Sequence, residues 1–320
     1  MDAAEPGLKP ETSAATVERI VANLRAVVHA PEETLRLCVL CLVSEGHLII
    51  EDFPGVGKTM LAKALARSLD CSFSRLQFTP DLLPSDVTGV NVFNQKENEF
   101  EFRPGPVFAQ LLLVDEVNRA SPKTQAALLE CMQETQVTVD GVSYPLQRPF
   151  MVMATQNPIE YEGTYPLPEA QLDRFTMRVT LGYPPLADEA KMLDEQTHTP
   201  PLESLAPVAG AADVLRLAEE ARGVYVEESL GRYVVAVLRQ TRADARLYLG
   251  ASPRSGIALL RVAKARALAD GRDYLVPDDV KATAAPVLAH RLILAPEARS
   301  AGLDGAALVG EALDRTPVPV

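Results

Sequence analysis

Short apolar runs alternate with segments of helical periodicity in the first part of the chain. Runs of this kind predict β-strands. Here they are Leu48–Ile50, Phe73–Phe78, Leu111–Asp115, Phe150–Thr155 and Phe175–Leu181. Alternating strands and helices predict a mainly parallel sheet with helices on both faces. The unbroken apolar run Leu111–Val114 is typical of a central strand that is buried on both faces.

Two helices are predicted before the first strand. Apolar residues recur at helical spacing from Val17 onward, which predicts an amphipathic helix over Val17–His29. A second helix is predicted from Pro31 to about Val43. Residues 1–15 are polar and lack the apolar core of a signal peptide, so we expect a disordered tail.

The pattern changes near Gly182–Pro185, because only helical periodicity follows. The predicted helices are Asp188–Gln196, Ala211–Gly223, Glu227–Arg242, Pro253–Ala269 and Pro277–Leu288. We therefore predict an α/β core over residues 16–183, built on a five-stranded parallel sheet, and a small all-α bundle over residues 184–320.

Composition and charge narrow the possible partners. The 320 residues are 47% hydrophobic and 23% charged, which is ordinary for a soluble globular protein. The net charge of -12 argues against sequence-independent binding to nucleic acid, which depends on Lys and Arg. No apolar run approaches the roughly 18 residues that a membrane helix needs, so we expect a cytoplasmic protein without membrane insertion.

Two of the four cysteines, Cys38 and Cys41, form a C-x-x-C pair. The pair lies inside the apolar helical stretch Leu35–Val43, and a second ligand pair does not accompany it. Buried apolar packing is therefore a better interpretation than a metal or redox site.

The segment Glu51–Thr59 has the context of a phosphate-binding loop. It follows the strand Leu48–Ile50 and precedes the helical segment Met60–Leu69. Glycines let backbone N–H groups approach a phosphate closely, and the helix adds the positive end of its dipole. Lys58 is expected to reach the β- and γ-phosphates, and the Thr59 hydroxyl to ligate Mg²⁺.

One position of this loop departs from the generic G-x-x-x-x-G-K-[ST] pattern, because Asp52 stands where the first glycine is expected. The alternative interpretation of the whole segment is a chance Gly-rich turn before a helix. The residues predicted to bind the nucleotide are Asp52, Pro54, Gly55, Val56, Gly57, Lys58, Thr59 and Met60.

Two carboxylates end the apolar strand Leu111–Asp115. Beside a phosphate-binding loop, Asp115 could hold Mg²⁺ through water, and Glu116 could act as the base that orients an attacking water. These are the features of a Walker B motif. The alternative is a solvated acidic turn after a strand.

Three further polar residues are candidates for contact with the γ-phosphate. Asn157, at the end of a neighbouring strand, could position the attacking water, or it could simply cap a turn before Pro158. Arg174 could stabilise transition-state charge as an arginine finger, or pair structurally with Asp173. Arg254, in the first turn of a helix, could sense the bound nucleotide, or be an ordinary surface arginine.

Taken together, these motifs resemble the MoxR family of AAA+ ATPases. The matching segments are Glu51–Thr59, Thr79–Gly89, Asp115–Ala120, Ala154–Pro158, Glu169–Phe175 and Gly250–Arg254. They span most of the chain, and their order and spacing are more specific than any one motif. MoxR-like loops commonly carry Asp at the position of Asp52, so this departure supports the resemblance.

The resemblance implies ATP and Mg²⁺ as cofactors and assigns roles. Asn157 would be the first sensor, Arg254 the second sensor, and Arg174 the finger, with Arg119 and Arg178 as other plausible trans-acting arginines. The family also carries an insert and a hairpin that contact a client. Gly89–Phe102 fits the insert, and Val137–Tyr144, around Asp140–Gly141, fits the hairpin. The alternative is a pair of ordinary surface hairpins.

The leading hypothesis is a MoxR-type ATPase that remodels or matures a protein complex. Its site would be completed by a neighbouring protomer in a ring, expected to be a hexamer. The resemblance also implies a partner with a von Willebrand factor A domain. Two alternatives stay open: a nucleotide-dependent assembly scaffold with slow turnover, and a nucleic-acid motor, which the acidic charge disfavours.

Overall fold

The computed structural model describes residues 12–157, 167–184 and 201–319, together with Tyr165, Leu186 and Glu189. Its centre is a five-stranded parallel sheet in the order β2-β5-β8-β1-β9. The strands are β1 Leu48–Glu51, β2 Phe73–Gln77, β5 Leu111–Asp115, β8 Met151–Gln156 and β9 Met177–Val179. All five predicted strands are therefore present, and the predicted sheet is confirmed.

Alternate residues of the central strands pack into two separate hydrophobic clusters. In β5, Leu111 and Leu113 join one cluster, whereas Leu112 and Val114 join the other. Successive side chains of a strand point to opposite faces, so each cluster fills the space between one face and its helices. This explains why the run is apolar at every position.

Six α-helices lie in the described residues of this part of the chain. They are α1 Ser13–Arg25, α2 Glu32–Val43, α3 Lys58–Ser68, α4 Pro84–Thr88, α5 Pro122–Glu134 and α6 Glu169–Leu172. The first begins at Ser13, inside the segment predicted to be a disordered tail. The cause is a side-chain cap, because the Thr12 hydroxyl accepts a hydrogen bond from the Ala15 N–H.

Two antiparallel hairpins project from the core where the insert and the hairpin were predicted. They pair β3 Gly89–Asn94 with β4 Glu99–Pro104, and β6 Gln136–Val139 with β7 Val142–Pro145. Asp140 and Gly141 both have positive φ (51° and 82°), as a two-residue hairpin turn requires. The hairpins touch each other, because the Phe102 and Tyr144 rings stack with centroids 4.1 Å apart.

The carboxy-terminal region is mainly helical, as predicted. Its helices are α7 Pro201–Ser204, α8 Ala211–Gly223, α9 Glu228–Ala243, α10 Pro253–Ala269, α11 Pro277–Leu288, α12 Pro296–Ser300 and α13 Gly305–Asp314. The predicted helix Asp188–Gln196 lies outside the described residues apart from Glu189. None of the helices in the described ranges is long and apolar enough to cross a membrane.

One feature of this region corrects the expectation of helices alone. A small antiparallel sheet pairs β10 Leu247–Leu249 with β11 Ile293–Leu294. Strands of two or three residues are too short to show a period of two in the sequence. Their pairing joins segments that are distant in the chain, so only the tertiary structure reveals it.

Candidate nucleotide site

The predicted motifs converge on one cavity at the carboxyl ends of the parallel strands. This is the edge at which open α/β sheets bind ligands. The cavity has a volume of about 430 Å³. Its lining consists of Pro54, Gly55, Gly57, Lys58, Thr59, Met60, Arg75, Gln77, Asp115, Glu116, Thr155 and Asn157. Six of the eight loop residues predicted from the sequence therefore line the same cavity as both acidic residues and Asn157, whereas Asp52 and Val56 do not line it.

Two glycines give the phosphate-binding loop its shape. Gly55 and Gly57 have φ values of +86° and +94°, in the left-handed region that favours glycine. A Cβ at either position would meet nothing within 4 Å, so the requirement is conformational and not steric. Gly57 caps α3, whose first N–H groups have no partners within the helix. The loop and this helix end together have the geometry that favours anion binding.

Lys58 is folded back onto its own loop. Its Nζ donates to the main-chain oxygen of Asp52 at 2.5 Å. Partial burial lowers the pKa of this ammonium group, and the charges of Asp52, Asp115 and Glu116 act in the opposite direction. The side chain therefore lies where an anionic ligand could attract it, held by one backbone hydrogen bond.

Asp52 lies in the loop, but its carboxylate is directed toward the segment after β9. The residue is only 4% exposed. One oxygen accepts from the Phe53 N–H at 2.8 Å, and the other accepts from Leu181 and Gly182, both at 2.7 Å. These bonds satisfy the buried charge with backbone donors.

Asp115 is held from two sides. Its Oδ1 accepts from the Thr155 hydroxyl at 3.2 Å, and its Oδ2 accepts from Arg75 Nε at 2.6 Å. Because the Asp115 side chain is 11% exposed and Arg75 is half exposed, this ion pair lies at the floor of an open site.

Glu116 follows in an unusual backbone conformation. Its φ is +56°, and its N–H donates to the Thr155 hydroxyl at 3.0 Å. The carboxylate oxygen Oε2 accepts from Gln77 Nε2 at 2.7 Å and from Arg119 Nη1 at 3.0 Å. The left-handed turn directs this side chain into the cavity beside Asp115.

Sequence reasoning missed Arg75, Gln77 and Thr155. Arg75 and Gln77 are alternate residues of β2, so they project from the same face of that strand. The parallel register places them beside Leu113 and Asp115 of β5. The available signal was a pair of polar residues two apart near the end of a strand.

The predicted arginine finger and its alternatives lie outside the cavity lining. Arg174 lies between α6 and β9, and its N–H donates to the Gln171 carbonyl at 3.1 Å. Arg119 pairs with Glu116, and Arg178 donates to Glu51 Oε2 at 2.7 Å. Both alternatives thus have partners within the same protomer.

Arg254 lies in the first turn of α10, yet it is not among the described residues that line the cavity. Its Nε lies 3.7 Å from Asp173 Oδ2, and the other oxygen of Asp173 pairs with Arg291 Nη1 at 3.0 Å. Burial lowers the pKa of Arg291 to about 10, whereas the charge of Asp173 raises it. Asp173 therefore links the α/β core to the helical region through two arginines.

Comparison with known proteins supports the inference from the motifs. Residues 47–177 match the family model described as the ATPase family associated with various cellular activities (AAA), and residues 239–312 match the AAA lid domain. The crystal structure of a protein from Cytophaga hutchinsonii, described as a putative ATPase, superposes with a TM-score of 0.89. It is 38% identical, and the match covers 96% of both chains.

Two curated relatives match over nearly the whole chain. The uncharacterized protein YeaC of Bacillus subtilis is 48% identical, and the match covers 94% of both chains. The chaperone MoxR1 of Mycobacterium tuberculosis is 39% identical over 95% of this chain and 82% of its own length. The fold, the two matching models and these relatives agree, and the chain belongs to the MoxR family of AAA+ ATPases.

Proposed function

We propose that this ATPase uses Mg²⁺-ATP to remodel or mature a protein complex, with an active site completed by a neighbouring protomer. The observation that carries the proposal is the meeting of the phosphate-binding loop, Asp115 and Glu116 in one cavity. The helix end and Lys58 supply positive charge for phosphates, and the two carboxylates supply the oxygens that metal binding and proton transfer need.

The oxygen donors at this position fit a magnesium ion. Thr59 and Asp115 both line the cavity and offer a hydroxyl and a carboxylate. Mg²⁺ in nucleotide sites is commonly held by one or two protein groups together with the phosphates and water. When bound, the ion would neutralise charge on the phosphates. Lys58 would leave the Asp52 carbonyl to bind the β- and γ-phosphates.

Glu116 is the residue best suited to act as the base. Its carboxylate faces the cavity and is oriented by Gln77 and Arg119. Asn157 lines the same cavity and could help to position the attacking water.

A ring would supply the remaining cation. Arg75 lines the cavity but pairs with Asp115, and neither Arg174 nor Arg254 lines the cavity of its own protomer. We assign Arg174 to a neighbouring protomer's site in a hexamer. Arg254 would reach the phosphates of its own protomer when the helical region closes and the contact with Asp173 is broken.

The two hairpins are the proposed client surface. Val90, Phe93 and Phe100 are 48%, 46% and 72% exposed, which is unusual for large apolar side chains on one hairpin. The relative named as a chaperone supports a client that is itself a protein. A partner with a von Willebrand factor A domain is proposed from the family resemblance alone.

Glu116→Gln tests the catalytic part of the proposal. The variant should bind ATP, whereas its hydrolysis rate should fall by roughly 10²–10⁴-fold, the usual contribution of a general base. Glu134→Gln, at an exposed position in α5, is the matched control and should retain the wild-type rate. Hydrolysis by Glu116→Gln at the wild-type rate would show that Glu116 is not the base.

The same variant tests the remodelling part and separates it from a passive scaffold. Glu116→Gln is immobilised with ATP, and bound proteins are compared with those held by Lys58→Ala. We expect a partner that is retained only by the ATP-bound variant and released by wild-type protein during hydrolysis. If the partner is released equally in ADP and in ATP, so that its release does not require hydrolysis, the scaffold is favoured.

A further inference from the structure

Asp52 places a negatively charged carboxylate in a loop that should attract negatively charged phosphates. Repulsion between these charges would weaken nucleotide binding if the carboxylate faced the site. A generic loop carries glycine at this position. The carboxylate is nevertheless 4% exposed and accepts three backbone hydrogen bonds, from Phe53, Leu181 and Gly182. It is therefore oriented away from the cavity and toward the chain that leaves β9.

The position of Asp52 in the sheet explains this contact. Asp52 extends β1, and its N–H donates to the Gln156 carbonyl of β8 at 3.3 Å. On the other side, the pairing of β1 with β9 ends at Ile50 and Val179. Beyond that point the Asp52 side chain, and not a main-chain carbonyl, accepts the next N–H groups at positions 181 and 182.

Two more contacts lie beside this junction. The rings of Phe53 and Tyr183 stack with centroids 5.6 Å apart and planes within 17°. On the loop side, Lys58 Nζ donates to the main-chain oxygen of Asp52. The lysine expected to bind phosphate, the loop residue Asp52 and the residues 181–183 are thus joined by consecutive direct contacts.

We propose that Asp52 is a positioning residue that couples the phosphate-binding loop to residues 181–184, through which the chain leaves the sheet. Binding of phosphates draws Lys58 from the Asp52 carbonyl, and the carboxylate transmits the resulting shift of the loop to this segment. The proposal rests on the nucleotide site proposed above, and it assigns Asp52 no contact with the nucleotide.

The direction in which the affinity for ATP changes distinguishes a positioning role of Asp52 from direct contact with the phosphates. If the carboxylate faced the phosphates, removal of its charge in Asp52→Asn would tighten ATP binding. As a positioning residue, it should instead weaken binding, because an amide cannot accept all three N–H groups. We expect the Kd for ATP to rise about tenfold, since small displacements of binding groups have effects of this size or larger.

Asp279→Asn is the control for loss of a buried carboxylate, although Asp279 also pairs with Arg272 at 2.6 Å. Asp279 is 2% exposed, and its side chain also accepts from a backbone N–H, that of Val276, at 2.9 Å. It lies in α11, outside the cavity lining. Both variants should lower the melting temperature, but only Asp52→Asn should change the Kd for ATP measured by calorimetry.

A tryptophan reporter tests the coupling itself. The chain contains no tryptophan, so Tyr183→Trp introduces a single emitting group at the stacked position. Its emission should change when Mg²⁺-ADP binds. In Tyr183→Trp/Asp52→Asn that change should be lost at saturating nucleotide, and in Tyr183→Trp/Asp279→Asn it should be retained.

Several results would overturn the proposal. The first is tighter ATP binding by Asp52→Asn. The second is an emission change in Tyr183→Trp/Asp52→Asn as large as that in Tyr183→Trp. The third is the absence of an emission change in Tyr183→Trp when calorimetry shows that nucleotide is bound. If Asp52→Asn does not fold, Phe53→Leu tests the same junction at an exposed ring, and an undiminished emission change would count against coupling. If the wild type itself does not bind ATP, the proposed function fails instead.

Discussion

Acidification should destabilise this protein through a histidine at the base of the sheet. His47 is buried between β8 and α5, just before β1. Its Nδ1 accepts from the Val152 N–H at 3.0 Å, so its Nε2 must carry the proton and donate to the Met132 carbonyl, also at 3.0 Å. A doubly protonated ring would place an N–H against the N–H of Val152.

The size of the effect follows from the pKa. Burial lowers the pKa of His47 from 6.5 to about 4, and the hydrogen bond to Met132 only partly offsets this. The unfolded state binds the proton more readily than the folded state. The stability contributed by neutral His47 is therefore present above pH 6.5 and is lost as the pH falls toward 4. Between pH 7 and pH 5, this linkage lowers the free energy of unfolding by about 2 kcal/mol.

His47→Asn isolates this contribution. The Asn oxygen can accept the Val152 N–H, but the side chain does not titrate in this range. Urea unfolding, followed by circular dichroism at pH 7, 6 and 5, should show a smaller loss of stability in the variant, by about 2 kcal/mol over the range. His290, whose pKa burial lowers to about 3, remains in both proteins, so its effect cancels. Equal pH dependence in the two proteins would refute the reasoning.

Two further predictions concern the loop and the ring. Gly57→Ala should weaken ATP binding and lower the melting temperature, because φ is +94° at this position. Gly231→Ala, in the interior of α9, should instead stabilise the protein by about 0.5–1 kcal/mol. Calorimetry and thermal melts measure both effects, and normal binding and stability of Gly57→Ala would contradict the conformational argument. Mixtures of Arg174→Ala and Lys58→Ala protomers should recover part of the ATPase rate that each variant lacks alone, because mixed rings contain sites with both residues intact. Mixed rings shown to form but without activity would exclude Arg174 as a trans-acting finger.

Most of the α/β core could be predicted because each local pattern agreed with the tertiary environment. Leu111–Asp115 is apolar at every position and is buried on both faces of the sheet. The paired positive φ values of Asp140–Gly141 follow from the residue types. The phosphate-binding loop likewise depends on local conformation, since its glycines and the start of α3 are consecutive in the chain.

Contacts between side chains of separate elements were harder to predict from the sequence. Arg75 and Gln77 become part of the site only because β2 lies beside β5 in a particular register. Arg254 was expected near the phosphates, yet it lies beside Asp173, since its position depends on how the helical region packs on the core. Neither the register nor this packing leaves a periodic signal in the sequence.

Asp52 illustrates the difference between what the sequence determined and what the tertiary structure decided. The sequence by itself determined the phosphate-binding loop, the acidic pair and the family, because these depend on residue types at short or regular spacing. It also marked Asp52 as a departure from the generic loop. Only the tertiary structure decided where that carboxylate points, because its partners Leu181 and Gly182 are 129 and 130 residues away and reach it through the pairing of β1 with β9.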